Sequence, residues 1–189
     1  MALVLAAGAC GSDDSPDASP PTTSGLGRTR ATTATTREPA GTRPVRLGTR
    51  SSPLPLGSEA AFENGWTVAV VGVTPDGTSA VMSENQFNDP PDDGEQFYLV
   101  RVSATYVGDG SSTPLGELTF SALDSRSTQV REGDCGVVPD AFDSFAEAFT
   151  GGSLTGNVCF AVPSATAGSL VMYVDAGFVD EQRAFFALA

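Results

Sequence analysis

The stretch Gln96-Phe-Tyr-Leu-Val-Arg-Val-Ser-Ala-Thr-Tyr-Val107 decides the fold class. Its alternate positions Tyr98, Val100, Val102, Ala104 and Tyr106 make one apolar face. The opposite set includes Arg101, Ser103 and Thr105, so that side suits solvent. A side-chain period of two with one polar face marks a strand of an antiparallel sheet. Gly108-Asp109-Gly110 supplies the turn that ends it.

Further strands read outward from this one. Upstream, Trp66-Thr-Val-Ala-Val-Val-Gly-Val73 is entered through Asn64-Gly65 and stopped by Thr74-Pro-Asp-Gly77. Ser79–Glu84 is expected to return from that turn as a hairpin partner. Downstream come Leu118–Leu123, a short polar edge at Ser127–Glu132, then Leu154–Val162, Ser169–Val174 and Gln182–Leu188. Leu154, Gly156, Val158, Phe160 and Val162 share one face, which leaves Cys159 on the other. Only Asp140–Phe149 suggests helix, with Phe142, Phe145 and Phe149 spaced to seal an end of the core. Seven to eight short strands in residues 56–189 predict an all-β, antiparallel β-sandwich.

Composition excludes several chemistries within this chain. It holds no histidine, and its ten basic residues are all arginine. His-based triads and imidazole metal sites are thereby ruled out, as is lysine chemistry of the Schiff-base or Walker type. The formal charge is −13, so a phosphate backbone would be repelled and no nucleic-acid partner is expected. Residues 11–55 carry four acids and six arginines, whereas residues 56–189 carry nineteen acids and four arginines. The first region is almost bare of large apolar side chains and rich in Ser, Thr and Pro. It is expected to be a disordered linker, because it cannot bury enough surface to offset its ordering entropy. Its arginines read either as a contact for an anionic surface or as ordinary solvated charge. O-glycosylation of the Ser/Thr-rich tract and a naked coil both remain open. As a random coil, such a linker would reach about 35–40 Å.

Residues 1–10, Met-Ala-Leu-Val-Leu-Ala-Ala-Gly-Ala-Cys, are apolar and end in small residues before Cys10. The run is too short to span a bilayer and reads as the end of a signal-peptide hydrophobic region. It resembles the lipobox of bacterial lipoproteins, with Ala7 where that motif prefers Leu and no basic stretch ahead of it. A start assigned too far downstream would account for the missing basic stretch. The resemblance implies acylation of Cys10, cleavage just before it, and a lipid-anchored place on the outer face of the cell membrane, with release to the medium as the variant. Setting Cys10 aside leaves the pair Cys135 and Cys159. Export to an oxidising compartment favours a disulfide between them, against free buried thiols or a metal pair short of ligands.

Residues Gly65–Val73, Phe87-Asn-Asp-Pro-Pro-Asp-Asp-Gly94, Tyr98–Gly110, Cys135-Gly-Val-Val-Pro139 and Gly151–Pro163 together carry a family resemblance. The chain from Pro55 resembles the immunoglobulin-like domain of unknown function in actinobacterial lipoproteins, related in fold to the secreted immunoprotective antigen of mycobacteria. The resemblance implies an exported immunoglobulin-like sandwich, often lipid-anchored, with no catalytic residues to transfer.

Two carboxylate groupings are candidates for chemistry. Asp89, Asp92, Asp93 and Glu95 form the densest acidic stretch and offer oxygen ligands for calcium, although their spacing is not that of an EF-hand. The alternative, a solvated acidic loop between strands, is preferred, and no cofactor is expected. Asp143 and Glu147 stand four apart, a spacing that puts two carboxylates on one face of a helical turn, and a glycosidase requires a carboxylate pair, but Trp66, Tyr98, Tyr106 and Tyr173 read more simply as core than as sugar platforms. The expectation is therefore a non-enzymatic binding module with a protein or cell-wall partner. A ligand-free envelope spacer and a carboxylate-dependent hydrolase are the alternatives.

Overall fold

A computed structural model describes residues 47–177 and 182–189. Along these run ten strands: β1 (Glu59–Ala61), β2 (Trp66–Thr74), β3 (Glu95–Tyr106), β4 (Ser111–Ser112), β5 (Leu118–Leu123), β6 (Gln129–Arg131), β7 (Ala148–Phe149), β8 (Ser153–Pro163), β9 (Val171–Ala176) and β10 (Gln182–Ala187). One helix, α1 (Thr78–Glu84), lies between β2 and β3. The first sheet has the order β1-β2-β3-β8 and the second β10-β9-β5-β6, while β4 and β7 form a separate ribbon. All these pairings are antiparallel. The chain leaves the first sheet for β5 and β6, returns to pair β8 with β3, then completes the second sheet, the Greek-key order of immunoglobulin-like sandwiches.

The core follows from the period-two pattern. Tyr98, Val100, Val102, Ala104 and Tyr106 of β3 are buried inward, and β8 adds Val158, Phe160 and Val162. The second sheet answers with Phe120, Met172, Val174 and Phe186. A bulge between Val70 and Gly72 turns Val71 outward and keeps both halves of β2 in register with β3. Trp66 is fully buried, its ring 5.3 Å from that of Tyr106, and its indole N–H donates to Ser112 Oγ at 3.3 Å. Burial also raises the Tyr98 phenol above its ordinary pKa.

Ser79–Glu84 is not the strand expected of it. It belongs to α1, begun by Asp76 Oδ1 accepting from Thr78 N (3.2 Å) and Gly77 O accepting from Val81 N (3.0 Å). The physical reason lies in β3, whose outer face is apolar at one end. Phe97 and Leu99 are buried there beneath Val81 of the helix. Six residues of mixed polarity suit either conformation, and this need for cover selects helix.

Asp140–Phe149 is likewise not helical. Its first residues pair with the edge of β8 instead: Asn157 N donates to Asp140 O (2.8 Å) and Phe142 N to Asn157 O (2.9 Å). Gly156 makes this possible, since a Cβ there would lie 2.4 Å from Phe142 Cα. Phe142 enters the core edge-on to Phe120, while Phe145 and Phe149 point to solvent. Asp143 Oδ1 accepts from the Phe145 and Ala146 amides and closes a turn where a helix would have continued.

The domain also begins before Leu56, where the linker was expected to end. Residues 47–55 run along β10, with Phe185 N donating to Leu47 O (3.0 Å), Leu54 N to Phe185 O (2.7 Å) and Ala187 N to Leu54 O (2.8 Å). Leu54 is buried in the core and Leu47 packs against it. Two leucines in a polar stretch are too few to signal a strand, but β10 presents a free edge that they cover. The edges of β8 and β10 are thus both occupied, and the edge strands β1 and β6 have three residues each.

Candidate functional site

Cys10 and the rest of residues 1–46 lie outside the described residues. Cys135 and Cys159 are joined by a disulfide with Cα atoms 6.3 Å apart. The bridge lies on the outer side of the first sheet, in a second apolar cluster with Val81, Phe97 and Leu99. Buried Asn88 fastens this cluster: its Nδ2 donates to Val81 O (2.7 Å) and Val137 O (2.8 Å), and its Oδ1 accepts from Val137 N (2.8 Å). Gly136 leaves room for it, since a Cβ at that positive-φ residue would lie 2.4 Å from Asn88 Oδ1. Sequence reading passed over Asn88 because an Asn beside Asp and Pro looks like any turn residue.

The acidic stretch serves that turn. Asp89, Asp92 and Asp93 are exposed, Glu95 opens β3, and Glu95 N donates to Asp92 O at 2.9 Å. Among the described residues, no three His, Cys, Asp or Glu side chains are grouped to hold a metal ion. Asp143 caps its turn and Glu147 accepts from the Ser111 hydroxyl, so each carboxylate is engaged locally. Trp66, Tyr98 and Tyr106 are core residues, and Tyr173 lies buried on the outer face of the second sheet with the Arg183 guanidinium 4.4 Å above its ring.

Among the described residues, two features stand out as able to meet a partner. The first is the end of the sandwich built by β4, β7 and the loops around them. Val107, Leu115, Phe145 and Phe149 are 57%, 54%, 75% and 64% exposed there. Backbone hydrogen bonds tie the segments that carry them: Phe149 pairs with Ser111, Thr150 N donates to Gly110 O (3.1 Å), Gly151 N to Tyr106 O (2.7 Å), and Leu115 N to Ser144 O (2.9 Å). Several large apolar side chains exposed at one end exceed the scattered single exposures ordinary for a surface. The intended helical seal explains why sequence reading missed this feature, since it assigned all three phenylalanines to the core.

The second feature is a pair of adjoining depressions beside β6. Because β6 pairs only with Ser121–Leu123, the start of β5 has no neighbour on that side. A hollow of about 470 Å³ opens there, with Leu115, Phe120 and Phe142 among its apolar walls and Arg131, Glu132 and Asp175 among its charged ones. A smaller hollow of about 320 Å³ lies under the disulfide loop and shares Glu132 and Phe142. Glu132 is exposed as a residue and lines both hollows. Loss of water there pushes its carboxyl up to about 7. Arg131 forms no ion pair among the described residues, whereas Arg101, Arg126 and Arg183 pair with Asp140, Asp124 and Asp175.

No family model matches the sequence, and no curated protein does. The structure is similar to several solved ones. A secreted protein of Mycobacterium tuberculosis, MPT63, is 17% identical with a TM-score of 0.47, over 72% of this chain and 98% of that one. ycdA of Bacillus subtilis, assigned as a lipoprotein, is 13% identical with a TM-score of 0.47; the match takes in 68% of this chain and 37% of that longer one. A β-sandwich protein of Clostridium difficile 630 is 7% identical with a TM-score of 0.47, over 73% of this chain and 95% of the other. The fold assignment rests on the strand order itself. Among the described residues, no helix is long and apolar enough to cross a membrane.

Proposed function

We propose that this chain is an exported lipoprotein of the immunoglobulin-like kind it resembles, anchored through Cys10. Its sandwich acts as a non-enzymatic binding module on the outer face of the cell membrane. The observation that carries the binding role is the exposure of Val107, Leu115, Phe145 and Phe149 at one end of the domain. Burying such side chains against a partner releases the water that now covers them, the main driving force of association. Strand addition at an edge is a poorer route, since β8 and β10 are already covered and β1 and β6 are short. The disulfide suits an oxidising compartment, which supports export. The Ser/Thr/Pro/Arg-rich linker gives the module reach from the membrane.

Two measurements test this reading. The intact mass of the membrane-fraction protein should start at Cys10 and carry acyl chains; an unacylated mass retaining Met1 defeats the anchor. A photo-crosslinking residue at Phe149 of the anchored full chain should capture one defined partner that the same residue at Val71 does not. The product should disappear when Phe145→Ser is added. Identical products from both positions, or none, would leave the ligand-free spacer as the better account.

A further inference from the structure

We propose that the larger hollow beside β6 is a binding site for a small monocarboxylate with a compact apolar body, its carboxylate held by Arg131 and its body set against Phe120, Phe142 and Leu115. The hollow borders the apolar tip and shares Leu115 with it, but its charged side is built by β6, and the proposal does not depend on what the tip docks. Residues 56–189 contain four arginines against nineteen acids, and three of those arginines are taken up in ion pairs. Arg131 is the one with no ion pair among the described residues, and it lines an apolar-walled hollow of about 470 Å³. A planar guanidinium presents two parallel N–H donors matched to a carboxylate, and the apolar wall gives the rest of the ligand something to bury against. Ser121 stands across from Arg131 in the β5–β6 register, and Gln129 Nε2 donates to its hydroxyl (3.2 Å), so the polar side of the hollow is ordered before a ligand arrives.

The surrounding charges set the selectivity. Those lining the two hollows around Glu132 are Arg131 on β6, Asp134 on the following loop and Asp175 on β9, the last held by Arg183 of β10. The lining residues from β5 and β8 are uncharged. One negative charge can be met by Arg131, whereas a second would face Glu132 or Asp175, so dicarboxylates are disfavoured. Glu132 lines the same hollow, so its ionised form repels a ligand carboxylate, and its protonated form, present near or below neutral pH, does not.

The probe is 3-phenylpropionate titrated into the full chain and followed by backbone amide shifts. Its size and the openness of the hollow suggest a Kd on the order of millimolar. Shifts should concentrate at Ser121, Gln129, Arg131 and Phe142. 3-Phenylpropionamide should bind at least about tenfold more weakly, as should the acid to Arg131→Gln. Affinity for the acid should fall several-fold as pH rises from 6 to 8.5, and Glu132→Gln should flatten that dependence. Equal binding of acid and amide, or shifts dispersed away from β6, would overturn the proposal. So would an unchanged Kd in a folded Arg131→Gln protein. The amide comparison uses the unaltered protein and so remains decisive even if a variant fails to fold.

Discussion

The space between the two sheets and the outer end of β3 bury the same kinds of side chain but hold them by different means. Between the sheets, strands from both sides contribute alternate residues, so every buried side chain meets an opposing layer. Outside β3, the buried set is Val81, Phe97, Leu99, Cys135 and Cys159, supplied by a two-turn helix, the neighbouring strands β3 and β8, and a loop. Ordering that loop costs about 1–2 kcal/mol per residue in backbone entropy, more than so few buried side chains offset. The shortfall is met by a covalent bridge, by Asn88, and by loop hydrogen bonds onto the edge of β8. Where apolar area is small, fixed polar and covalent links take over.

The largest expected effect lies in the inter-sheet core. Trp66→Ala should destabilise the fold by about 3–5 kcal/mol, seen as an earlier denaturation midpoint with all strands lost together. Next comes removal of the bridge. Cys135→Ala with Cys159→Ala reopens the constraint on a loop of about 25 residues, worth up to about 3.5 kcal/mol in the chain-entropy model. Amide exchange should then quicken in α1 and residues 133–142, while β2 and β3 stay protected; equal quickening everywhere would show that the two clusters are one unit. Asn88→Ala should cost about 1–3 kcal/mol by leaving Val81 O and the Val137 amide and carbonyl without their partner, and should loosen the outer cluster alone.

Glu132 gives the smallest effect, and one with a defined sign. Its folded pKa of about 7 lies above the ordinary 4.5, so its contribution is fully present below pH 4.5 and is lost as pH rises through 7. Glu132→Gln should therefore raise stability above pH 7 relative to the parent, by less than about 1 kcal/mol given its exposure, with little difference at pH 4.5. Thermal melts at both values decide it. The acid limb has the opposite sign. The Thr128 amide, followed by the Arg126 side chain and amide, holds the Asp124 carboxyl below its usual range, and that contribution is lost as pH falls through the folded pKa.

Where a residue's role depends on its neighbours along the chain, the role was legible. The inward face of β3 and the matching face of β8 with Cys159 turned away follow from period-two alternation, and the edge at β6 from a short polar run. Where the role depends on what packs across from a segment, it was not. Ser79–Glu84 and Asp140–Phe149 carry patterns that fit more than one conformation, and the bare end of β3 and the open edge of β8 choose between them. Asn88, the apolar tip and the Arg131 hollow are invisible for the same reason: each joins residues far apart in sequence.

The sequence by itself determined a β-sandwich, its buried faces, the cysteine pair and the acidic balance of the domain, because alternation, turn residues and charge are local properties. Only the tertiary structure decided that residues 47–55 belong to the domain, that α1 and Asn88 enclose the bridge on the outer side of the first sheet, and that Phe145 and Phe149 face solvent. Those outcomes are set by which sheet edges and faces remain uncovered once the strands have paired.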